Sequence, residues 1–127
     1  MKARILILED EQIIAFDMRV ALQDQGYEVA AVCASASEAI QRLNQNSIDL
    51  MIVDFKLSGD MNGEEAASAI RTHVKAMVPV IFVSGTTDSA FLERVKNDPC
   101  ALLVKPFQIE DLISCVESVL SPQLKKD

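Results

Sequence analysis

The chain alternates short, almost wholly apolar runs with longer segments whose apolar residues recur every three or four positions. The short runs are residues 4–8 (RILIL), 27–32 (YEVAAV), 48–53 (IDLMIV), 78–83 (VPVIFV) and 101–104 (ALLV). With so little polar alternation, they predict strands buried on both faces. Residues 12–25 predict a helix, with Ile13, Phe16 and Val20 at helical spacing and Gly26 as its stop signal. Ser35 or Ser37 can cap a second helix that carries Ala39, Ile40 and Leu43 on one face. Residues 63–74 and 88–97 predict two more helices, and 109–120 a last one with Leu112, Ile113, Val116 and Leu120 inward.

Five strands alternating with five helices imply an α/β fold, a parallel sheet covered on both faces. Right-handed crossovers leave few topologies, and the flavodoxin-like order 2-1-3-4-5 is the expected one. Residues 1–122 are expected to form the domain and 123–127 a short polar tail. The last helix ends so near Asp127 that no attached output domain is expected.

Composition narrows the function. The 127 residues fit one domain with one core, and half of them are hydrophobic. A net charge of −7 argues against direct nucleic-acid binding and favours an acidic site that takes a cation. Four apolar residues before Glu9 are too few for a signal peptide, and no run approaches the roughly 18 needed to span a membrane. A cytoplasmic location without membrane insertion is therefore expected. Cys33, Cys100 and Cys115 form no CxxC pair and read as reduced, packed thiols, and His73 has no ligand-spaced partner.

In open parallel sheets, ligands bind beyond the carboxyl ends of the strands. The first strand delivers Glu9, Asp10 and Glu11 there, the third Asp54, the fourth Ser84 and Gly85, and the fifth Lys105 and Pro106. Taken singly, each has a bland reading: a helix cap, a turn hydroxyl, a solvated lysine. All four ends are polar in a complementary way, and that points to a site. Like charges about 4 Å apart repel by roughly 4 kcal/mol at an effective dielectric near 20, so crowded acids need a counter-charge. Magnesium suits such an oxygen-rich group. A carboxylate such as Asp54, held rigidly beside that cation, can be a nucleophile toward phosphorus. The metal, the Lys105 ammonium and the Ser84 hydroxyl could then neutralise the phosphoryl oxygens.

These residues resemble the receiver domain of two-component response regulators, over roughly residues 3–120. The resemblance rests on Glu9-Asp10, Asp54, Ser84 and Lys105-Pro106-Phe107, each after its strand. It implies that Asp54 is the phosphoacceptor and that Mg2+ is held by Asp10 directly, Glu9 through water, Asp54, and the Lys56 backbone carbonyl. It further implies that Ser84 follows the phosphoryl group, that Lys105 pairs with it, and that the Lys105–Pro106 bond is cis. Gly85 would leave the pocket open to small donors, and Thr86 and Lys56 would tune hydrolysis. Two departures stand out. Leu102 occupies the position of the family's aromatic switch residue, and the loop FKLSGDMNG places Gly63 one position late. The stretch IFVSGTTD is also similar to a subgroup of stand-alone receivers, sharing Phe82 and Gly85.

The function so implied is that of a phosphoacceptor module rather than an enzyme. A histidine kinase or histidine phosphotransfer protein would donate to Asp54. The change would be read on the face of the fourth helix, fifth strand and fifth helix by a downstream protein or output domain. One alternative is a degenerate receiver that only binds partners. Another is an aspartate-nucleophile phosphatase, against which stands Lys56 where a second acid is needed. No GxGxxG or P-loop supports nucleotide binding.

Overall fold

The computed structural model describes residues 3–45, 47–54, 78–85 and 102–120, apart from the Ser84 side chain. Within them, β1 (Arg4–Leu8), β2 (Glu28–Cys33), β3 (Leu50–Asp54), β4 (Val80–Ser84) and β5 (Leu102–Val104) form one parallel sheet. Its order is β2-β1-β3-β4-β5, as the alternation of runs predicts. Three helices are described: α1 (Gln12–Asp24), α2 (Ala36–Gln45) and α3 (Ile109–Leu120). The helices expected at 63–74 and 88–97, the Gly63 loop, His73, Cys100 and the tail lie outside the described residues.

The strands are apolar on both faces because each face meets a helix layer. Leu6, Leu8, Met51 and Val53 pack with Ala39 and Leu43 of α2. The alternate residues, Ile5, Ile7, Leu50, Ile52, Ile81 and Val83, pack with Met18 and Leu22 of α1 and with Leu112 and Val116 of α3. Period-two alternation thus sorts one strand's side chains into two cores. Cys33 and Cys115 are buried thiols, and burial, reinforced by Glu38, pushes the Cys33 thiol up to about 11, as in an inert packed cysteine.

Local chemistry settles the helix ends. Ser35 is the cap of α2: its Oγ accepts from the Glu38 backbone N–H at 3.2 Å, while the Glu38 carboxylate accepts from the Ala34 N–H at 3.0 Å. In α3 the Asp111 carboxylate likewise accepts from the Gln108 N–H at 3.2 Å.

The apolar residues noted at helical spacing in α1 are not the ones that face the core. Ala15, Met18 and Leu22 face the core, and Ile13, Phe16 and Val20 face outward, with Ile13 79% and Phe16 55% exposed. At about 100° per residue, the two stripes lie on nearly opposite sides of the helix. Both have helical spacing, so spacing alone does not choose between them. The sheet side takes the stripe with the small residue, since Ala15 lets the helix axis come close to the strands.

Leu22→Ala should therefore cost roughly 2–5 kcal/mol of stability, the usual range for truncating a fully buried leucine. Ile13→Ala should stay within about 0.5 kcal/mol. Urea denaturation of the two variants measures the difference, and equal losses would contradict the phase of α1.

Candidate functional site

The two rims of the sheet treat charge differently. At the amino-terminal rim, Arg4 pairs with Glu28 and donates from Nε to the Ser47 carbonyl at 2.8 Å; its backbone N–H donates to the Asp49 carboxylate, also at 2.8 Å. Base and acids there offset one another. At the carboxyl-terminal rim, three carboxylates converge on one ammonium. Lys105 Nζ stands 3.1 Å from Glu11 Oε1, 3.5 Å from Asp54 Oδ2 and 3.6 Å from Glu9 Oε1.

Strand alternation brings these groups together. Glu9 continues the Ile5–Ile7 series, Asp54 the Leu50–Ile52 series, and Lys105 lies two residues past Leu103, which belongs to the same core layer. The pairing of Leu8 with Val53 makes Glu9 and Asp54 neighbours at the rim. Asp54 is the last residue of a strand buried along its whole length. Asp10 falls in the opposite series. It lines a groove of about 490 Å³ toward α2, together with Phe16, Val32 and Glu38.

Glu11 is the residue whose place in the cluster the sequence did not reveal. It is the N-cap of α1, where the chain has left the strand, so alternation no longer sets its direction. Its only sequence signal was its place as third acid of the run. Glu9, Glu11 and Asp54 each contribute a carboxylate oxygen to a group lying within 4.8 Å of one another. This group does not include Asp10.

Burial gives the group its electrostatic character. Glu9 and Asp54 are each only 3% exposed. Glu9 Oε2 accepts from the Glu11 backbone N–H at 3.2 Å, whereas among the described residues Oε1 is buried without a hydrogen-bond partner. Burial, then hydrogen bonding to Asp54 and the charge of Asp54, push the Glu9 carboxyl up from 4.5 to about 7 against the opposing pull of Lys105. Burial by itself would lower Lys105. Its hydrogen bond to Glu11 and the charges of Glu9, Asp54 and Glu11 outweigh that and hold the ammonium above its ordinary value. An all-oxygen donor group with an orphaned buried oxygen fits a small, hard divalent cation.

The remaining expected residues surround this group. The Lys105–Pro106 bond is cis, as the resemblance implied. Gly85 is exposed, and a Cβ built on it would lie 3.9 Å from Lys105 Cβ, in ordinary contact. Leu102 opens β5 opposite Phe82, so no ring stands at that position. Ser84 ends β4 opposite Val104. Lys56 and Thr86 lie outside the described residues.

Residues 5–117 match the response regulator receiver domain. The chain belongs to this family. Among curated proteins, the receiver is 34% identical over 119 residues to the transcriptional regulatory protein PdtaR of Mycobacterium tuberculosis, covering 93% of this chain and 57% of that one. It is 28% identical to the phyllosphere-induced regulator PhyR of Methylorubrum extorquens, covering 94% and 44%. The receiver thus spans about half the length of these relatives. Among solved structures, a CheY-like response regulator receiver domain protein from Methanospirillum hungatei superposes with a TM-score of 0.81 at 28% identity, each chain fully covered. Among the described residues, no helix of the receiver is long and apolar enough to cross a membrane.

The raised Glu9 carboxyl has a consequence for stability. The unfolded chain ionises Glu9 near 4.5, whereas the folded receiver keeps its proton to about 7. Between those values the folded state binds more protons, so stability falls as pH rises. In the presence of a chelator, the wild type should therefore lose stability relative to Glu9→Gln between pH 4.5 and pH 7. Denaturation midpoints of the two proteins across that window measure the effect, and parallel curves would contradict it.

Proposed function

We propose that this receiver accepts a phosphoryl group on Asp54 from a histidine kinase or histidine phosphotransfer protein, in the presence of Mg2+. The observation that carries this reading is the placement of Asp54. It ends a wholly buried strand, beside Glu9 and 3.5 Å from the Lys105 ammonium, in a chain matched by the receiver family. Rigid strands on both sides hold the carboxylate in position, which favours in-line attack.

In the transfer, an Asp54 carboxylate oxygen forms a bond to phosphorus. The bond from phosphorus to the donor's imidazole nitrogen breaks, and its electron pair stays on that nitrogen. Lys105 donates to one phosphoryl oxygen, as a charge-assisted hydrogen bond that strengthens as negative charge gathers there. Ser84 offers its hydroxyl to a second oxygen. Bound Mg2+ would neutralise charge on the phosphoryl oxygens; Glu9 and Asp54 of the converging group would hold it, and Asp10, from the adjoining groove, and the Lys56 carbonyl are the further ligands proposed from the family resemblance. Gly85 leaves the approach beside Lys105 open, and Lys56 and Thr86 tune hydrolysis of the acyl phosphate.

The added charge draws Ser84 inward and biases the face of β5 and α3, together with the helix expected at 88–97. Leu102 replaces a ring on that face, so the signal passes there without an aromatic rotation. A downstream protein or an output domain reads the change. Receivers of this kind are phosphoacceptors rather than enzymes, and the place proposed for this one is in cytoplasmic signalling. Exposed Ile13 and Phe16, on the helix that follows the acid run, give a donor protein apolar surface, and Phe16 shares a groove with Glu9 and Asp10.

Acetyl phosphate with Mg2+ should add one labile phosphoryl group to the wild type, releasing acetate, and none to Asp54→Asn. Intact mass spectrometry reads both. A wild type that gains nothing from acetyl phosphate or from any kinase would overturn the proposal in favour of a binding-only receiver.

A further inference from the structure

We infer that Glu11 is a positioning residue that tethers Lys105 in the unphosphorylated receiver and competes with the phosphoryl group for its ammonium. The inference rests on the reading of Asp54 as the phosphoacceptor. Lys105 has three N–H donors and three carboxylates around it. The shortest contact, 3.1 Å, goes to Glu11, which is neither buried nor on a strand. The Glu11 side chain is 61% exposed, while those of Glu9 and Asp54 are almost wholly enclosed. The closest partner of the lysine is thus the one carboxylate of the three that can swing into water at little cost.

The main chain fixes this arrangement. The Glu11 backbone N–H donates to the buried Glu9 carboxylate at 3.2 Å, which anchors the residue at the rim while its side chain reaches over to Lys105. A phosphoryl group on Asp54 would present Lys105 with a doubly charged acceptor on the inner side of the same ammonium. The Lys105–Glu11 contact is made before transfer and weakens after it. It therefore stabilises the unphosphorylated form relative to the phosphorylated one. It acts against transfer, and its loss should favour the modified state. Because the pair is partly exposed, the expected effect is about two- to fivefold.

The test is the rate of phosphorylation by acetyl phosphate with Mg2+, read by intact mass on the full chain. Glu11→Gln should raise the rate constant at low donor concentration by about two- to fivefold. Loss of negative charge near an anionic donor could do the same without any tether, so two comparisons separate the causes. Glu11→Asp keeps the charge but shortens the reach. A tether predicts that it behaves like Glu11→Gln, and a general charge effect predicts that it behaves like the wild type. In a Lys105→Ala background, a tether predicts that Glu11→Gln changes nothing, whereas a charge effect persists there. If the Lys105→Ala background takes no phosphoryl group, the Glu11→Asp comparison decides alone. A wild type that accepts phosphate at the same rate as Glu11→Gln, or a Glu11→Asp variant indistinguishable from the wild type, overturns the tether while leaving the role of Asp54 intact. A wild type that accepts no phosphate overturns the parent reading instead.

Discussion

Negative charge crowded at the mouth of an apolar sheet is the constraint on which the rest of this receiver depends. Glu9 and Asp54 sit almost wholly out of water, and Lys105 is the ammonium placed among them and Glu11. Withdrawing an ionised carboxylate from water costs several kcal/mol even after relaxation. Among the described residues, one cation is shared among three carboxylates, which offsets only part of that. The imbalance shows in the raised Glu9 carboxyl and in its orphaned oxygen. Under the proposed function, the same imbalance draws a divalent cation to this rim.

Such a group survives only where the scaffold beneath it is rigid. β1 and β3 are each flanked by strands on both sides and are buried almost throughout. Parallel pairing sends every carboxyl end to one rim, and the fixed register then sets which residues meet. Leu8 opposite Val53 brings the next residues, Glu9 and Asp54, side by side. The amino-terminal rim serves stability instead, since the Arg4 contacts close the sheet there with matched charges.

The outward face of α1 is a second feature that stability does not explain. A helix that needed only to cover the sheet could carry polar residues at 13, 16 and 20, yet it carries Ile, Phe and Val. Arg19 lies over the Phe16 ring, 5.4 Å from its centre, and shields part of this surface. The stripe follows directly on the acid run, so exposed apolar surface begins on α1 just after the residues that β1 sends to the charged rim.

The amino-acid sequence by itself determined the sheet. Runs without polar alternation define the strands, their alternation with helical segments makes the pairing parallel, and residues at the strand ends mark Asp54, Glu9 and Lys105. These features are local, or follow from rules that hold for every α/β chain. Other features were decided only by tertiary structure. Two apolar stripes on α1 have the same spacing, and only packing against β1 and β2 selects Ala15, Met18 and Leu22. Both Ser35 and Ser37 can cap, and only the reach of Glu38 back to the Ala34 N–H selects Ser35. Glu11, rather than Asp10, joins Glu9 and Asp54 because the chain leaves the strand at residue 9. Beyond that point strand alternation no longer dictates where a side chain points, and a lysine 94 residues away does.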